Sequence, residues 1–267
     1  ARRGRGGGGG VGAPAASQGA KGALAARSLD RGVLDRFAAE LPPKPTVLEV
    51  GAGTATMVER LVDWGVLDGG RWVAVDAHEA ALAAGEARIG DACGDVTVEF
   101  HAADAFDFAA EAAAAGERFD AVVGCAFFDV VDAAPAVDAF ADVAPVAYAP
   151  ITYDGETCFA PADPDDDAVL DGYHRHMREF RAGGPDGAAA LAREVTVIAE
   201  GASPWVIEPP YESGERRVLS HLLDTVEGAV GETGLDASDW ADRRRAALED
   251  GRLRYEAANR DLLVRLD

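Results

Sequence analysis

A glycine-rich segment between an apolar run and a helix-like run is the part of the sequence with the clearest chemistry. Residues 47–56 read VLEVGAGTAT, with Gly51 and Gly53 at the point where the apolar run ends. Glycine permits left-handed dihedrals and close approach of a ligand, and the following helix offers free N–H groups and a positive dipole end. The pattern predicts a nucleoside-binding turn, with a purely structural glycine turn as the alternative.

Two aspartates strengthen the prediction of a nucleoside site. Asp76 ends the second apolar run, where a carboxylate accepts hydrogen bonds from both ribose hydroxyls. Asp104 follows the third run in HAADAF, where a carboxylate accepts a hydrogen bond from an adenine amino group. The alternative for each is that it only caps the next helix.

The elements that must position these residues follow an alternating pattern. Short Val-rich runs are separated by Ala-rich segments of helix length, which predicts a doubly wound α/β fold with a parallel sheet and crossover helices. The predicted strands cover residues 46–50, 72–75, 96–100, 121–123 and 146–151. A helix is predicted to begin near a Ser28 cap and to end before Pro42.

The pattern changes after the fifth predicted strand. A helix is predicted over residues 165–180, followed by two strands at 195–199 and 205–208. The link between these strands is too short for a crossover helix, so an antiparallel hairpin is expected. The rest of the chain is predicted to be helical, ending in an Arg-rich helix with Leu262, Leu263 and Leu266.

Three regions are therefore expected along the chain. Residues 1–27 form a flexible Gly/Arg-rich arm, residues 28–210 form the main domain, and residues 211–267 form a helical extension of that domain.

With these residues in view, the sequence resembles the class I S-adenosylmethionine-dependent methyltransferases over about residues 46–208. The resemblance implies a Rossmann-like sheet of seven strands, the sixth and seventh forming the antiparallel hairpin, and S-adenosylmethionine as cofactor. Ala55 stands where many members have a third glycine. The cofactor-binding residues that the resemblance implies are Glu49, Gly51, Ala52, Gly53, Asp76, Ala77, Asp104, Ala105 and Cys125.

The acceptor is expected over the carboxyl ends of the fourth and fifth strands. Asp129, Tyr153 and His174 are the catalytic base candidates, although a helix cap, sheet packing and a solvent-facing ring are the respective alternatives. Arg27 or Arg31 is a candidate partner of the methionyl carboxylate. The rest of the expected acceptor lining is Phe127, Phe128, Asp154, Tyr173 and Trp205.

Several classes of site are disfavoured by the local sequence. Residues 126–129 read AFFD and not the Asn/Asp-Pro-Pro-Tyr motif of DNA amino-methyltransferases. The acids at 163–167 lie at a helix start, where capping and solvation explain them, and no metal is expected. The three cysteines are far apart, which excludes a disulfide framework and favours a reducing, cytoplasmic setting.

The charge of the chain limits its partners. The net charge is −22, with 47 acidic residues and 25 basic residues, of which only Lys21 and Lys44 are lysines. Such acidity weighs against a nucleic-acid substrate, and no apolar run is long enough to span a membrane. A halophilic source and a GC-rich genome both explain this composition.

A small-molecule acceptor is therefore expected, and a homodimer is possible through the C-terminal part of the chain. The alternatives are a nicotinamide-dependent oxidoreductase, a non-catalytic nucleoside-binding protein, and an RNA methyltransferase guided by the Gly/Arg arm.

Overall fold

The computed structural model describes residues 28–90, 92–152, 155–180, 186–212 and 214–266. The predicted arm at residues 1–27, together with Tyr153 and Asp154, lies outside these described residues.

Helices and strands alternate through the first part of the chain, as the apolar pattern predicts. In chain order they are α1 (Arg31–Glu40), β1 (Thr46–Val50), α2 (Thr56–Asp63), β2 (Gly70–Asp76), α3 (Glu79–Ile89), β3 (Val96–Ala102), α4 (Ala105–Ala115), β4 (Ala121–Val123), α5 (Ala133–Ala141) and β5 (Val146–Ile151).

The second part of the chain mixes short strands with longer helices. Its elements are β6 (Thr157–Ala160), α6 (Asp166–Phe180), α7 (Gly187–Glu194), β7 (Thr196–Ala202), β8 (Trp205–Ile207), α8 (Glu215–Glu232), α9 (Ser238–Glu249), β9 (Arg254–Ala257) and β10 (Arg260–Arg265).

The main sheet has seven strands in the order β3-β2-β1-β4-β5-β10-β7. Strands β1 to β5 are parallel, and Leu48 of β1 lies opposite Val73 on one side and Val122 on the other. Strand β10 is antiparallel to both of its neighbours, β5 and β7. The expected α/β fold class, a mostly parallel seven-stranded sheet with an antiparallel pair at one edge, is confirmed.

The identity of that antiparallel pair differs from the prediction. The strands predicted as a hairpin, β7 and β8, do not pair with each other: β7 pairs with β10, and β8 pairs with β9 in a second sheet of order β6-β9-β8. The short link at Ser203 and Pro204 carries the chain from one sheet to the other. A short link excludes a crossover helix, but it does not require the two strands to be neighbours.

The predicted last helix is also wrong. Leu262 and Leu263 belong to β10, whose central residues are buried between β5 and β7. An apolar run of this length is compatible with a buried strand or a helix. Here it forms a strand, because it pairs with the backbone of β5 along the edge of that strand. At the other end, Asp30 and not Ser28 caps α1, with Oδ1 accepting from Val33 N at 3.0 Å.

The main sheet is covered on both faces, and the small sheet has a core of its own. Helices α1, α2 and α3 pack on one face through residues such as Phe37 and Leu61, while α4, α5 and α7 cover the other through residues such as Phe140 and Leu191. The third core joins the small sheet to α6, α8 and α9, around Trp240 and Leu219.

Candidate active site

The glycine turn lies at the carboxyl end of β1, next to the point where the strand order changes direction between β1 and β4. Gly51 and Gly53 have φ values of 62° and 55°, in the left-handed region that favours glycine. A Cβ added at Gly53 would meet no heavy atom within 4 Å, so the loop faces open space. Ala52 N donates to Val75 O at 3.1 Å and ties the loop to β2.

Ala55 adopts the conformation that a third glycine would favour. Its φ is 52° and its ψ is 44°, and its methyl group is fully buried. A left-handed alanine costs about 1–2 kcal/mol, which burial of the methyl group partly offsets. The departure from the usual glycine pattern therefore leaves the shape of the turn intact.

Asp76 ends β2 and is directed at the glycine turn. Its Oδ2 accepts from Gly53 N at 2.7 Å, and its Oδ1 accepts from His78 N at 2.7 Å. A carboxylate has about four lone-pair directions, so each oxygen retains the capacity to accept from a ribose hydroxyl. Ala77 follows it and is exposed.

Asp104 caps helix α4, as the alternative reading anticipated. Its Oδ1 accepts from Phe106 N at 2.8 Å and Asp107 N at 3.3 Å, and the side chain is exposed. Both bonds use Oδ1, so capping leaves Oδ2 available for an adenine amino group. Ala105, the first residue of α4, is buried.

Glu49 is a buried acid beside the glycine turn. Its Oε2 accepts from Trp72 Nε1 at 2.8 Å, and burial raises its pKa to about 7. Arg60 of α2 acts on Glu49 electrostatically, and burial lowers the pKa of this guanidinium. The sequence reasoning missed Arg60, although it is the basic residue within the helix that follows the glycine turn.

Arg31, a predicted partner of a methionyl carboxylate, contacts an aromatic ring. Its guanidinium carbon is 4.0 Å from the centroid of the Trp64 ring, a cation–π contact at the C-terminal end of α2. Arg27 lies outside the described residues. Arg60, which acts electrostatically on Glu49 beside the glycine turn, is a further candidate for this role.

A pocket of about 310 Å³, including its open mouth, extends from the end of β4 across β5 and β10 to β7. Cys125 lies at the β4 end, where burial raises the pKa of its thiol. The pocket is lined by Ser28, Leu29, Met57, Arg60, Cys125, Pro150, Ile151, Thr152, Ser203, Trp205, Asn259 and Asp261.

The far end of this pocket contains a buried carboxylate that the sequence reasoning did not single out. Asp261 is fully buried, its Oδ1 accepts from Ser203 Oγ at 2.7 Å, and its Oδ2 accepts from Tyr148 Oη and Asp30 N, both at 2.9 Å. Burial raises its pKa, while these donors oppose the rise. A polar residue within the apolar run of 260–265 was the available signal.

Asn259 holds Trp205 at the same end of the pocket. With its amide oxygen toward the indole, Asn259 accepts from Trp205 Nε1 at 2.8 Å and donates to Thr152 O at 2.7 Å. Trp205 therefore lines the same pocket as Cys125.

The base candidates are in different surroundings. Asp129 is buried, and its Oδ2 accepts from Thr152 Oγ1 at 2.9 Å and Thr152 N at 3.3 Å, at the ends of β4 and β5. His174 of α6 is half-buried, burial lowers its pKa, and it lines a separate pocket with Cys158 and Glu256. Tyr153 lies outside the described residues.

Three aromatic residues of the expected acceptor lining are used mainly in packing. Phe128 is buried in the main core, and Tyr173 is buried in the core around the small sheet. Phe127 is half-buried and packs against the glycine turn. Its ring is so close to the turn that a Cβ added at Gly51 would lie 3.0 Å from Phe127 Cδ2.

Within the described ranges there is no group of three or more His, Cys, Asp or Glu side chains arranged to hold a metal ion. Likewise, no helix of the described part of the chain is long and apolar enough to cross a membrane.

The site fits an adenosine-containing cofactor on three observations: the open space beside Gly53, the carboxylate of Asp76 at the β2 end, and the start of α2 directly after the turn. Residues 47–147 match the family model of a methyltransferase domain. That segment contains the glycine turn, Asp76, Asp104 and Cys125. This part of the chain is therefore a methyltransferase domain.

Solved structures with a similar architecture are distant from this chain. The cyclopropane synthase MmaA2 from Mycobacterium tuberculosis has a TM-score of 0.47 and 13% identity, covering 88% of this chain and 83% of that one. A methyltransferase from Thiobacillus denitrificans with S-adenosyl-L-homocysteine has a TM-score of 0.44 and 12% identity, covering 89% and 92%. Geranyl diphosphate C-methyltransferase from Streptomyces coelicolor has a TM-score of 0.46 and 12% identity, covering 94% of this chain and 79% of that one.

Likenesses at this level do not bear on the acceptor of this chain. No curated protein has a significant match to the sequence.

Proposed function

We propose that the protein transfers the methyl group of S-adenosylmethionine to a small-molecule acceptor. The observation that carries this proposal is the pocket of about 310 Å³ that leads from Cys125 to Asp261. A concave pocket is the kind of site in which a small acceptor binds, and the net charge of −22 weighs against a nucleic-acid substrate.

The donor site in this proposal is built around the glycine turn. Asp76 binds the ribose, Asp104 binds the adenine amino group, and the turn and Cys125 enclose the sulfonium end. Arg60 pairs with the methionyl carboxylate, and Glu49 pairs with the methionyl amino group. The electrostatic interaction between the side chains of Arg60 and Glu49 supports this arrangement. The full set of proposed cofactor residues is Glu49, Gly51, Ala52, Gly53, Asp76, Ala77, Asp104, Ala105 and Cys125, with Arg60 added.

When bound, the cofactor supplies an activated methyl group for in-line displacement, so most of the rate comes from positioning the acceptor. A base is needed only where the acceptor must lose a proton. Asp129, Tyr153 and His174 remain the proposed catalytic residues. The contact between Asp129 and Thr152, at the β4 and β5 ends, supports Asp129 above His174, which lines a different pocket.

The cellular setting is also a proposal. Three free cysteines, at Cys93, Cys125 and Cys158, support a reducing cytoplasmic location, and the acidic, lysine-poor composition supports a halophilic source. The position of β10 inside the main sheet supports treating residues 211–267 and 28–210 as one domain. A homodimer remains part of the proposal.

Binding of S-adenosylhomocysteine, measured by calorimetry, tests the donor site directly. We expect micromolar binding by the wild type and at least a tenfold loss in Asp76→Ala, because two hydrogen bonds to a charged group are removed. Asp138→Ala, an exposed aspartate on α5, is the matched control and should leave the affinity unchanged. NADH binding in place of S-adenosylhomocysteine would instead support a nicotinamide enzyme.

A further inference from the structure

Glu49 is a carboxyl group in an apolar layer directly before the glycine turn. It belongs to the central strand β1, where it lies opposite Ala74 of β2 on one side and Val123 of β4 on the other. Side chains alternate along a strand, so Glu49 shares the face of Val47, whose core packs against α1 and α2. Only 3% of its surface is exposed. The ionised form of Glu49 has therefore lost most of its hydration.

The two carboxyl oxygens of Glu49 differ in their surroundings. Oε2 accepts a hydrogen bond from Trp72 Nε1 at 2.8 Å. Oε1 has no donor among the described residues, and it keeps contact with solvent, since it is not one of their fully buried polar atoms. A single neutral donor does not balance a buried negative charge. One oxygen is thus open to a ligand at the turn, while the surroundings favour the neutral acid.

The titratable groups around Glu49 come from α2, β2 and the end of β4. Arg60 of α2 favours the ionised form, and Asp76 at the end of β2 opposes it. Cys125 also interacts with Glu49, but burial raises the pKa of this thiol, which stays neutral near pH 7. The buried residues of α1 are all apolar: Val33, Leu34 and Phe37. Burial outweighs the single cation and raises the pKa of Glu49 to about 7.

We propose that S-adenosylmethionine binds with the release of one proton from Glu49, so that the affinity for the cofactor rises with pH. This inference rests on the proposed function, in which the methionyl amino group pairs with Glu49. An ammonium group beside Oε1 adds a second positive charge and a charge-assisted hydrogen bond, both of which favour the carboxylate. The carboxyl proton leaves to solvent, and the ammonium group keeps its own protons.

The direction of the pH dependence follows from the neutral form of Glu49 in the ligand-free protein. At pH 6 most molecules hold the neutral acid and must lose its proton on binding, whereas at pH 8 most already hold the carboxylate. The affinity should therefore rise about tenfold from pH 6 to pH 8. The number of protons released should fall over the same range, from about 0.9 to about 0.1.

Calorimetry with S-adenosylhomocysteine tests the proposal, because this ligand carries the same amino group. The titration is repeated at pH 6, 7 and 8, each in two buffers with different enthalpies of ionisation. The dependence of the measured enthalpy on the buffer gives the number of protons released. 5′-Methylthioadenosine has the same nucleoside but no amino acid, and it is the ligand control. We expect its affinity to be independent of pH and its binding to release no proton.

Three variants assign the proton to a residue. Glu49→Gln can still accept from Trp72 Nε1, and it should bind S-adenosylhomocysteine without proton release and with a constant affinity from pH 6 to pH 8. Glu111→Gln, an exposed acid of α4, is the matched control and should behave as wild type. His78→Ala removes the exposed ring beside Asp76 and should also keep the proton release. If Glu49→Gln does not fold, the comparison of the two ligands on wild-type protein still decides.

The outcomes separate this inference from the proposed function. Binding of S-adenosylhomocysteine without proton release at pH 6 would overturn the role of Glu49 and leave the methyl transfer standing. An equal release with 5′-methylthioadenosine, or a release that disappears in His78→Ala, would overturn it as well, because the proton would then come from another group. If S-adenosylhomocysteine binds at none of the three pH values, the proposed methyl transfer fails together with this inference.

Discussion

Glu49 illustrates how burial changes the chemistry of a single residue. A carboxyl group next to an open cofactor loop would ordinarily be ionised, but burial raises the pKa of Glu49 to about 7, despite the bond from Trp72 and the nearby guanidinium of Arg60. An acid whose pKa is higher in the folded protein than in the unfolded chain stabilises the fold at low pH. That contribution is lost as the pH rises through the folded value.

We therefore expect Glu49 to make the ligand-free protein less stable as the pH rises from 5.5 to 8. The loss is about 2 kcal/mol from this group. Urea unfolding of wild type and Glu49→Gln at both pH values isolates it, because other titrating groups are common to the two proteins. Equal pH dependence in the two proteins would show that Glu49 is ionised throughout this range.

Helix α3 supports the glycine turn through one close contact at the scale of elements. A Cβ at Gly85 would lie 2.6 Å from Thr54 O and 2.8 Å from Thr54 C, and these are backbone atoms of the turn. The helix and the turn approach this closely only because residue 85 has no side chain. The shape of the glycine turn thus depends on a residue of a neighbouring helix.

Gly85→Ala is expected to lower stability by about 1–3 kcal/mol, because the turn or the helix must move apart. It should also weaken S-adenosylhomocysteine binding several-fold. Gly228→Ala is the matched control, since Gly228 is also within a helix but a Cβ there meets nothing within 4 Å. That change should stabilise the protein by up to about 1 kcal/mol. Urea midpoints and calorimetry measure both effects, and equal behaviour of the two variants would refute the close contact.

The charge of −22 acts on the molecule as a whole. Ion pairs such as Arg71 with Glu99 and Glu117, or Arg245 with Glu227, offset part of the repulsion locally. The acidic excess remains, because the chain has 47 acidic and only 25 basic residues. Repulsion among exposed charges is long-ranged in dilute buffer and is screened within about 3 Å at molar salt.

Added KCl is therefore expected to stabilise the folded protein. Between 0.02 and 0.5 M KCl, where screening dominates, Tm should rise by roughly 5 °C, equivalent to about 2 kcal/mol for a chain of this size. Thermal unfolding followed by circular dichroism measures the shift. A constant or falling Tm over this range would mean that the local ion pairs already balance the acidic surface.

The parts of the molecule that the sequence determined are those built from local patterns. Strands β1, β4 and β5 have the predicted bounds, since an apolar run between turn residues specifies a buried strand over a short distance. Asp76 meets the glycine turn because successive parallel strands place their carboxyl ends at the same edge. Local pattern therefore sufficed to predict that Asp76 lies beside the glycine turn.

The surroundings of Asp261 were decided only by tertiary structure. The last apolar run fits a helix or a strand by its own residues, and it becomes β10 because the position between β5 and β7 is open to it. That choice brings Asp261 together with Ser203, Tyr148 and Asp30, which lie 58, 113 and 231 residues away in the chain. Contacts over such separations leave no periodic trace in the sequence, because they depend on which strands become neighbours.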